Sequence, residues 1–353
     1  MIKININLQE RSYPIYVTTD FNSISKCMTA LKSDGKVAVI TDTNVGKLYA
    51  ERLVNSLKKE GFTTSVITIE PGESSKSFEV LQRVCNELLK FGLNRNDFIV
   101  ALGGGVVGDL GGFAASILLR GVPYIQVPTS LLSQIDSSIG GKVAINTDYG
   151  KNLLGSFYQP AAVFIDPELL GTLNEKYLYD GMAEVIKYGA IKDRHLFSEL
   201  LSFKSVEELM DNMENIIYTC CSIKKELVEK DETDRGERMI LNFGHTIGHA
   251  IEKYFGYGTY THGEAVAAGM YIITKNSEAL GMTQKGTSSS IKEMLDKYHL
   301  PHDVSYESHK IKETVLLDKK NMNGTINLVL LESIGCGYIK KVDTSELNNF
   351  IYL

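Results

Sequence analysis

The chain lacks the usual means of covalent stapling, and it lacks any feature that would draw it to a polyanion or a membrane. Its five cysteines (Cys27, Cys85, Cys220, Cys221 and Cys336) are odd in number and contain no C-x-x-C pair. That excludes a disulfide framework of the kind found in small secreted domains. Cys220 and Cys221 sit side by side in a helical pattern and read as buried thiols. Basic residues are not in surplus: the net charge is −6 and no global positive field recruits nucleic acid. Any anionic ligand must therefore be held by local lysines and arginines. No apolar run approaches the roughly twenty residues of a membrane span. The N-terminal Met1-Ile-Lys-Ile-Asn-Ile-Asn7 alternates like a strand and has no signal-peptide core. Internal repeats and low-complexity tracts are absent too. Together these absences point to a reducing, cytoplasmic compartment.

What is present is an ordinary globular composition on a long chain. At 353 residues, with 43% hydrophobic and 23% charged side chains, one small core is not enough and two domains are expected. The first half alternates apolar runs with amphipathic segments. Lys36–Thr41, Thr63–Ile69, Asp97–Leu102, Tyr124–Val127 and Ala162–Ile165 read as strands, with helices over Val45–Lys59 and Ser77–Phe91. Such alternation implies a mainly parallel sheet covered on both faces. After Asp166-Pro167 the periodicity is helical, over Glu175–Ile191, Val206–Val228, Met239–Tyr254, Glu264–Leu280, Ser288–Tyr298 and Ile311–Asp318, and only Ile326–Leu331 looks extended. The fold class is α/β plus all-α, with the boundary between 1–166 and 167–353.

Gly103-Gly-Gly-Val-Val-Gly108-Asp109 follows a strand, opens a helix and satisfies G-x-G-x-x-G. Glycines there let the backbone approach a pyrophosphate whose charge rests on the helix N-terminus. The motif falls on about the third strand, and no acid follows some twenty residues on. An acid lies upstream instead: Asp42, ending the 36–41 strand, is placed either to accept from ribose hydroxyls or to cap a turn. A dinucleotide in a rearranged Rossmann-like domain is favoured. Further clusters, Pro71–Lys76, Pro128–Ser130, Asp136–Lys142 and Gly150–Asn152, read as loops in which glycine and lysine combine backbone donors with charge.

The second half carries Asn242-Phe-Gly-His245-Thr-Ile-Gly-His249-Ala-Ile-Glu252 and then His262-Gly-Glu264. His245 and His249 share a helix face, so they can point at one metal, or one at a metal and the other at a substrate. With His262 nearby and Glu184-Val-Ile-Lys187 upstream, this reads as a metal site.

These strings resemble the 3-dehydroquinate synthase family. The resemblance is carried by Ala101–Ala115, Leu119-Arg120-Gly, Gln126–Thr129, Asp136–Lys142, Gly150–Gly155, Gly181-Met-Ala-Glu184-Val-Ile-Lys187-Tyr-Gly, Lys230-Asp-Glu, Arg238–Glu252, His262-Gly-Glu and Asp318-Lys-Lys320, in order over about residues 40 to 335. It implies a Rossmann-like NAD-binding domain followed by a helical metal- and substrate-binding domain. It also implies conversion of 3-deoxy-D-arabino-heptulosonate 7-phosphate to 3-dehydroquinate and phosphate, the second step of the shikimate pathway. In the family, NAD transiently oxidises C5, phosphate is eliminated, C5 is reduced again, and the ring opens and recloses by aldol addition. One divalent metal, zinc or cobalt, is required.

Residue by residue, the resemblance implies Glu184, His245 and His262 as metal ligands, one oxygen and two nitrogens suited to Zn²⁺ or Co²⁺. Arg120, Asp136, Lys142, Asn152, Lys187, Lys230, Arg238, Asn242, His249 and one of Lys319 and Lys320 are implied in catalysis or substrate binding. Arg120 would reach a neighbouring subunit's site, which implies a homodimer. The cofactor set is Asp42, Asn44, Glu73, Lys76, Gly104, Gly105, Val106, Asp109, Thr129, Ser130, Lys142, Lys151 and Thr172. Ser130 replaces the family's usual threonine and keeps the hydroxyl. Cyclases acting on substrates without a carboxylate would not need Arg238 and Lys230, while an amino analogue would. Alcohol dehydrogenases of the glycerol dehydrogenase type share the two-domain plan but lack the Lys142, Lys151-Asn152 and Arg238 cluster.

Overall fold

The computed structural model describes residues 1–31, 34–318 and 324–352, so Lys319 and Lys320 lie outside the described residues. The chain forms two compact units, Met1–Leu173 with Lys224–Thr233, and Asn174–Ile223 with Asp234–Leu353.

In the first unit the strands are β1 (Ile2–Ile6), β2 (Tyr13–Val17), β3 (Lys36–Asp42), β4 (Thr63–Ile69), β5 (Phe98–Gly103), β6 (Tyr124–Pro128), β7 (Lys142–Thr147), β8 (Gly150–Phe157) and β9 (Ala162–Ile165). Seven of them build one sheet in the order β1-β2-β9-β6-β5-β3-β4. Only the β1–β2 pair is antiparallel; the others run parallel. The pleat sends alternate residues to opposite faces. Ala38, Ile40, Ile99 and Ala101 pack with Leu81, Val84, Leu110 and Ala114 on one side. Val37, Val39, Val100 and Leu102 pack with Phe21, Ile24, Leu53 and Leu57 on the other. Burial on both faces is why these strands are continuously apolar in sequence.

The order of strands also locates a binding crevice. β3 lies between β4 and β5, and β5 continues to β6 on its far side. The order in which successive strands are added to the sheet therefore reverses at the β3/β5 pair, and in such sheets ligands bind outside the carboxyl ends of strands at that switch point. Asp42 ends β3 and Gly103 ends β5, on paired neighbours (Thr41 opposite Leu102). The glycine motif thus sits on a late strand in sequence but at the switch point in space.

Two expectations for this unit change. Lys142 and Gly150–Asn152 are not on loops: they open β7 and β8, which pair with each other as a separate antiparallel sheet. Residues 152–155 of β8 are all exposed, so the in–out alternation that marks a strand is missing there. β2, interrupted by Pro14, was also unmarked.

The second unit is helical, with helices Glu175–Ile191, Arg194–Ser202, Val206–Asp211, Met213–Lys230 (whose last turns belong to the first unit), His245–Phe255, His262–Ala279, Thr287–Lys297 and Ser308–Asp318. A hairpin, β10 (Thr325–Ser333) and β11 (Cys336–Asp343), adds a partner strand that the sequence did not suggest. The 206–228 helix breaks at Asn212, whose side chain donates back to the Glu208 carbonyl. The 239–254 helix breaks at Gly244, which has φ +78°. Here the glycine is required, because a Cβ would lie 2.5 Å from Met270 and 2.6 Å from the Val266 carbonyl oxygen. The break makes His245 the first residue of its helix. Cys220 and Cys221 are buried in the Met213–Lys230 helix. Among the described residues no helix is long and apolar enough to cross a membrane.

Asp166, just after β9, is 2% exposed and accepts from the Glu168 backbone N–H at 3.0 Å. Burial raises its carboxyl to about 6, against about 3.9 in an unfolded chain. A raised carboxyl favours the native state fully below the unfolded value, and that advantage is lost as pH rises through about 6. Asparagine keeps the capping oxygen without the charge. Asp166→Asn should therefore be more stable than the parent at pH 8, by about 1–3 kcal/mol, with the gap closing toward pH 4 in urea denaturation. A gap independent of pH would contradict this.

Candidate active site

The centre of the second unit is one buried carboxylate. Glu184 lies in the Glu175–Ile191 helix, which Asn174 caps through the Lys176 N–H and in which every residue from Asp180 to Ile191 is buried. Glu184 is 0% exposed and pairs through Oε2 with Lys187, one turn on and 1% exposed. Its other oxygen, Oε1, faces two imidazoles: His245 Nε2 at 3.4 Å and His262 Nε2 at 3.7 Å. The ligand atoms of the three residues all lie within 4.8 Å of one another. An oxygen and two nitrogens converging at that range fit a borderline-soft divalent ion with coordination positions left over. Burial, with the Lys187 ammonium next in weight, holds His245 well below the ordinary imidazole value, which keeps it neutral as a ligand must be. Burial opposes charge on His262 as well, but Glu252 and Glu184 outweigh it and raise that ring.

Local backbone fixes the second histidine. His262 opens its helix behind a capping box in which Thr261 Oγ1 accepts from the Glu264 N–H and Glu264 Oε2 accepts from the Thr261 N–H. Asp180 Oδ1 accepts from the Gly263 N–H at 2.6 Å. His249 is exposed, with its ring centroid 5.4 Å from that of His245, and is outside the three-residue group. Arg238 is 2% exposed on the 3₁₀ turn Glu237–Asn242, which Asn242 closes.

In the first unit, Asp42 does cap a turn: Oδ1 accepts from the Asn44 and Val45 N–H groups at 2.8 and 3.0 Å. Both cap bonds fall on that one oxygen. Gly104 stands at the start of the Gly105–Ile117 helix with no side-chain cap, so the helix N–H groups are available to an anion. Thr129 donates its N–H to the Gly103 carbonyl, and the Ser130 and Ser133 hydroxyls pair at 2.9 Å beside the same turn. Val106 is half-buried in that helix's first turn. Lys76, 4% exposed, donates to Asp109 Oδ2 at 2.6 Å and to Asn152 Oδ1, with Glu73 at 3.7 Å. Asn146 ties this group together, donating to Glu73 and accepting from the Asn152 N–H, both at 2.9 Å. Asn152 holds φ +58°, a conformation asparagine tolerates. Thr172 shares a hydrogen with Tyr49 across 2.5 Å, and Lys151 is half-buried while Lys142 is exposed.

Lys230 is exposed and pairs with Glu226 at 2.9 Å. The buried lysine nearby is Lys224, 4% exposed, whose ammonium meets the Asp136 carboxylate and carbonyl. Lys224 escaped the sequence reading, as did Asn146 and Tyr49. Its signal was there: Cys220, Cys221, Leu227 and Val228, at helical spacing around it, form an apolar face on which a lysine is out of place.

The solved 2-epi-5-epi-valiolone synthase from Streptomyces hygroscopicus subsp. jinggangensis 5008, with NAD+ and Zn2+ bound, is 26% identical, with a TM-score of 0.88 over 97% of this chain and 96% of that one. 2-Deoxy-scyllo-inosose synthase, complexed with carbaglucose-6-phosphate, NAD+ and Co2+, has the same fold, with a TM-score of 0.87 at 24% identity over 99% of each chain. The architecture is that of the sugar phosphate cyclases. Within that class the assignment is specific. The N-terminal 3-dehydroquinate synthase model matches residues 66–180 and the C-terminal model residues 181–321. The 3-dehydroquinate synthase of Clostridium botulinum (strain Alaska E43 / Type E3) is 52% identical over 97% of this chain and 99% of its own length. The chain belongs to the 3-dehydroquinate synthase family.

A Cβ on Gly263 would lie 2.0 Å from the Asp180 carbonyl oxygen, and backbone cannot yield as a flexible side chain does. Gly263→Ala should displace the start of the helix and His262 with it. Zinc affinity should fall by about tenfold or more, the 10–100-fold scale seen when ligand support is disturbed, measured by competition with a chelating dye. Unchanged affinity would mean that His262 is not a ligand.

Proposed function

We infer that this chain does what its family does, converting 3-deoxy-D-arabino-heptulosonate 7-phosphate to 3-dehydroquinate and phosphate. The observation that carries the reading is the convergence of Glu184, His245 and His262 in a chain whose other unit ends β3 and β5 at a nucleotide-type switch point. When bound, NAD supplies a reversible hydride acceptor, so a carbinol is oxidised for the elimination and restored afterwards. When held by Glu184, His245 and His262, a zinc or cobalt ion supplies Lewis acidity toward substrate hydroxyls.

The chain's own residues do the rest. For the nucleotide, the glycines at 104 and 105 let the backbone approach a pyrophosphate. Thr129, Ser130 and Val106 lie at the same turn; Lys151 is assigned to the same ligand, and Asp42, with Asn44, offers Oδ2 to ribose hydroxyls. Lys76, clamped by Asp109, Glu73 and Asn152, places a fixed positive charge there, and Thr172 with Tyr49 presents hydroxyls. For the substrate, the residues assigned are Lys187, Arg238, Asn242 and exposed His249, which handles a proton during elimination. Asp136, Lys142, Asn152, Lys230 and the buried Lys224 are assigned to it as well. Because Asp136 neutralises Lys224, that pair is poised for hydroxyls more than for a phosphate.

Homodimerisation belongs to the same reading. Leu119 and Arg120 hold φ of +50° and +68°, a costly pair of left-handed residues. The turn is held by Arg95 Nε donating to the Leu119 carbonyl at 2.7 Å. It presents an exposed Arg120, and β8 shows Leu153, Leu154 and Phe157 to solvent, a surface suited to a second copy.

The test is phosphate release from the heptulosonate phosphate. It should stop with chelator, return with zinc or cobalt, and run in large excess over any NADH formed. Stoichiometric NADH would instead mark a dehydrogenase. Arg238 is assigned to the substrate carboxylate, where its planar fork binds bidentately and lysine does not. Arg238→Lys should lower kcat/KM by about tenfold, roughly 1.4 kcal/mol. An analogue without the carboxylate should lose much less, and equal losses on both would remove that assignment.

A further inference from the structure

We propose that Glu252 is a positioning residue of the metal centre, its carboxylate seated against Nδ1 of His262 so that Nε2 of that ring faces Glu184 and His245. The inference rests on the metal reading above and adds a residue outside the three ligands.

Glu252 lies on the His245–Phe255 helix and is 3% exposed. Its Oε2 is 3.6 Å from His262 Nδ1, while His262 Nε2 is 3.7 Å from Glu184 Oε1. The two nitrogens of one ring therefore face two different buried carboxylates. An imidazole that binds a metal through Nε2 carries its proton on Nδ1. An acceptor on that side fixes the tautomer and ring plane and makes Nε2 a better donor to the ion. His245 meets the same need with backbone: its Nδ1 is 3.1 Å from the Phe243 carbonyl oxygen and its Nε2 3.4 Å from the same Glu184 oxygen. Both rings thus present Nε2 to one point, each supported from behind. The main chain of His262 is already fixed on both sides, by the Thr261 capping box and by Asp180 on Gly263. Rotation of the ring is the freedom left, and Glu252 removes it.

Glu252, His249 and His262 also lie close enough to one another to hold an ion of their own. The His262 nitrogen nearest Glu252 is Nδ1, whereas the Glu184 group uses Nε2, and one neutral ring has one lone pair to give. The group built on the fully buried Glu184, rather than on exposed His249, takes that lone pair. Glu252 then serves as support for His262.

The experiment compares the full chain with Glu252→Gln, which keeps an acceptor but not the charge, and Glu252→Asp, which keeps the charge but shortens its reach. Apo proteins are titrated with Co²⁺, reading the visible ligand-field bands, the affinity against a chelating dye and the number of ions bound. Circular dichroism follows melting of the apo forms. Each protein should bind one ion. Glu252→Gln should weaken Co²⁺ binding by about 10–100-fold and shift the bands, Glu252→Asp should recover part of both, and apo melting should stay as in the parent. Parental affinity and spectrum in Glu252→Gln would overturn the proposal, as would a lowered apo melting point with unchanged Co²⁺ binding. Two ions on the parent and one on the variant would overturn it in favour of a second ion site. Failure of the parent itself to bind Co²⁺ would instead overturn the metal reading.

Discussion

The second unit is organised around a carboxylate that has no access to water. An isolated buried charge costs far more than folding can spare, so such groups are found paired or bound to metal. Glu184 meets this with Lys187 on one oxygen and two imidazoles on the other. Much of the local fold follows from that requirement. The Glu175–Ile191 helix must be buried from Asp180 onward to hold Glu184 there. The helices starting at His245 and His262 must also approach each other closely. They do so where backbone meets backbone: a Cβ on Gly269 would lie 2.1 Å from the Gly244 carbonyl oxygen. Pairing Lys187 with Glu184 leaves that carboxylate neutralised even without an ion, so a divalent cation joins a site that already folds.

The first unit handles charge in the same local way. The chain is acidic overall, yet Lys76 and Lys224 are both buried and both held by carboxylates, Asp109 and Asp136. Burial lowers the tendency of Lys76 to carry charge, but Asp109 and Glu73 more than restore it, so its ammonium is secure. Charge in this unit is therefore balanced locally by fixed, oriented pairs, which act at short range and give little long-range steering. Lys230 and Glu226, both exposed, form an ordinary i,i+4 pair worth a few tenths of a kcal/mol.

How much of this was legible in the sequence depended on burial pattern. β3, β5 and β9 were read because strands covered on both faces are unbroken apolar runs. β8 was not, because it pairs on one side only and shows most of its side chains to solvent. The Glu184, His245 and His262 group was legible because ligand chemistry is carried by residue type and because two motifs brought it together. The breaks at Asn212 and Gly244 were not. Periodicity runs straight through both, and what stops each helix is a side-chain bond to the preceding turn in one case and a tertiary contact in the other. Lys224 was visible only as a polar residue on an apolar face. Asp42, at a strand end, is placed in sequence either for a ribose or for a cap, and the structure shows the cap bonds directly.

The central claim, that the buried Glu184 carboxylate is the anchor for a divalent ion, is tested most directly by thermal melting of the apo chain and Glu184→Gln, each with and without zinc. A ligand that binds only the native state raises stability by about 2.7 kcal/mol at a hundred times its dissociation constant. The parent should therefore melt markedly higher with zinc, and Glu184→Gln should melt at the same temperature with or without it. An equal rise in both proteins would show that the ion does not need this carboxylate.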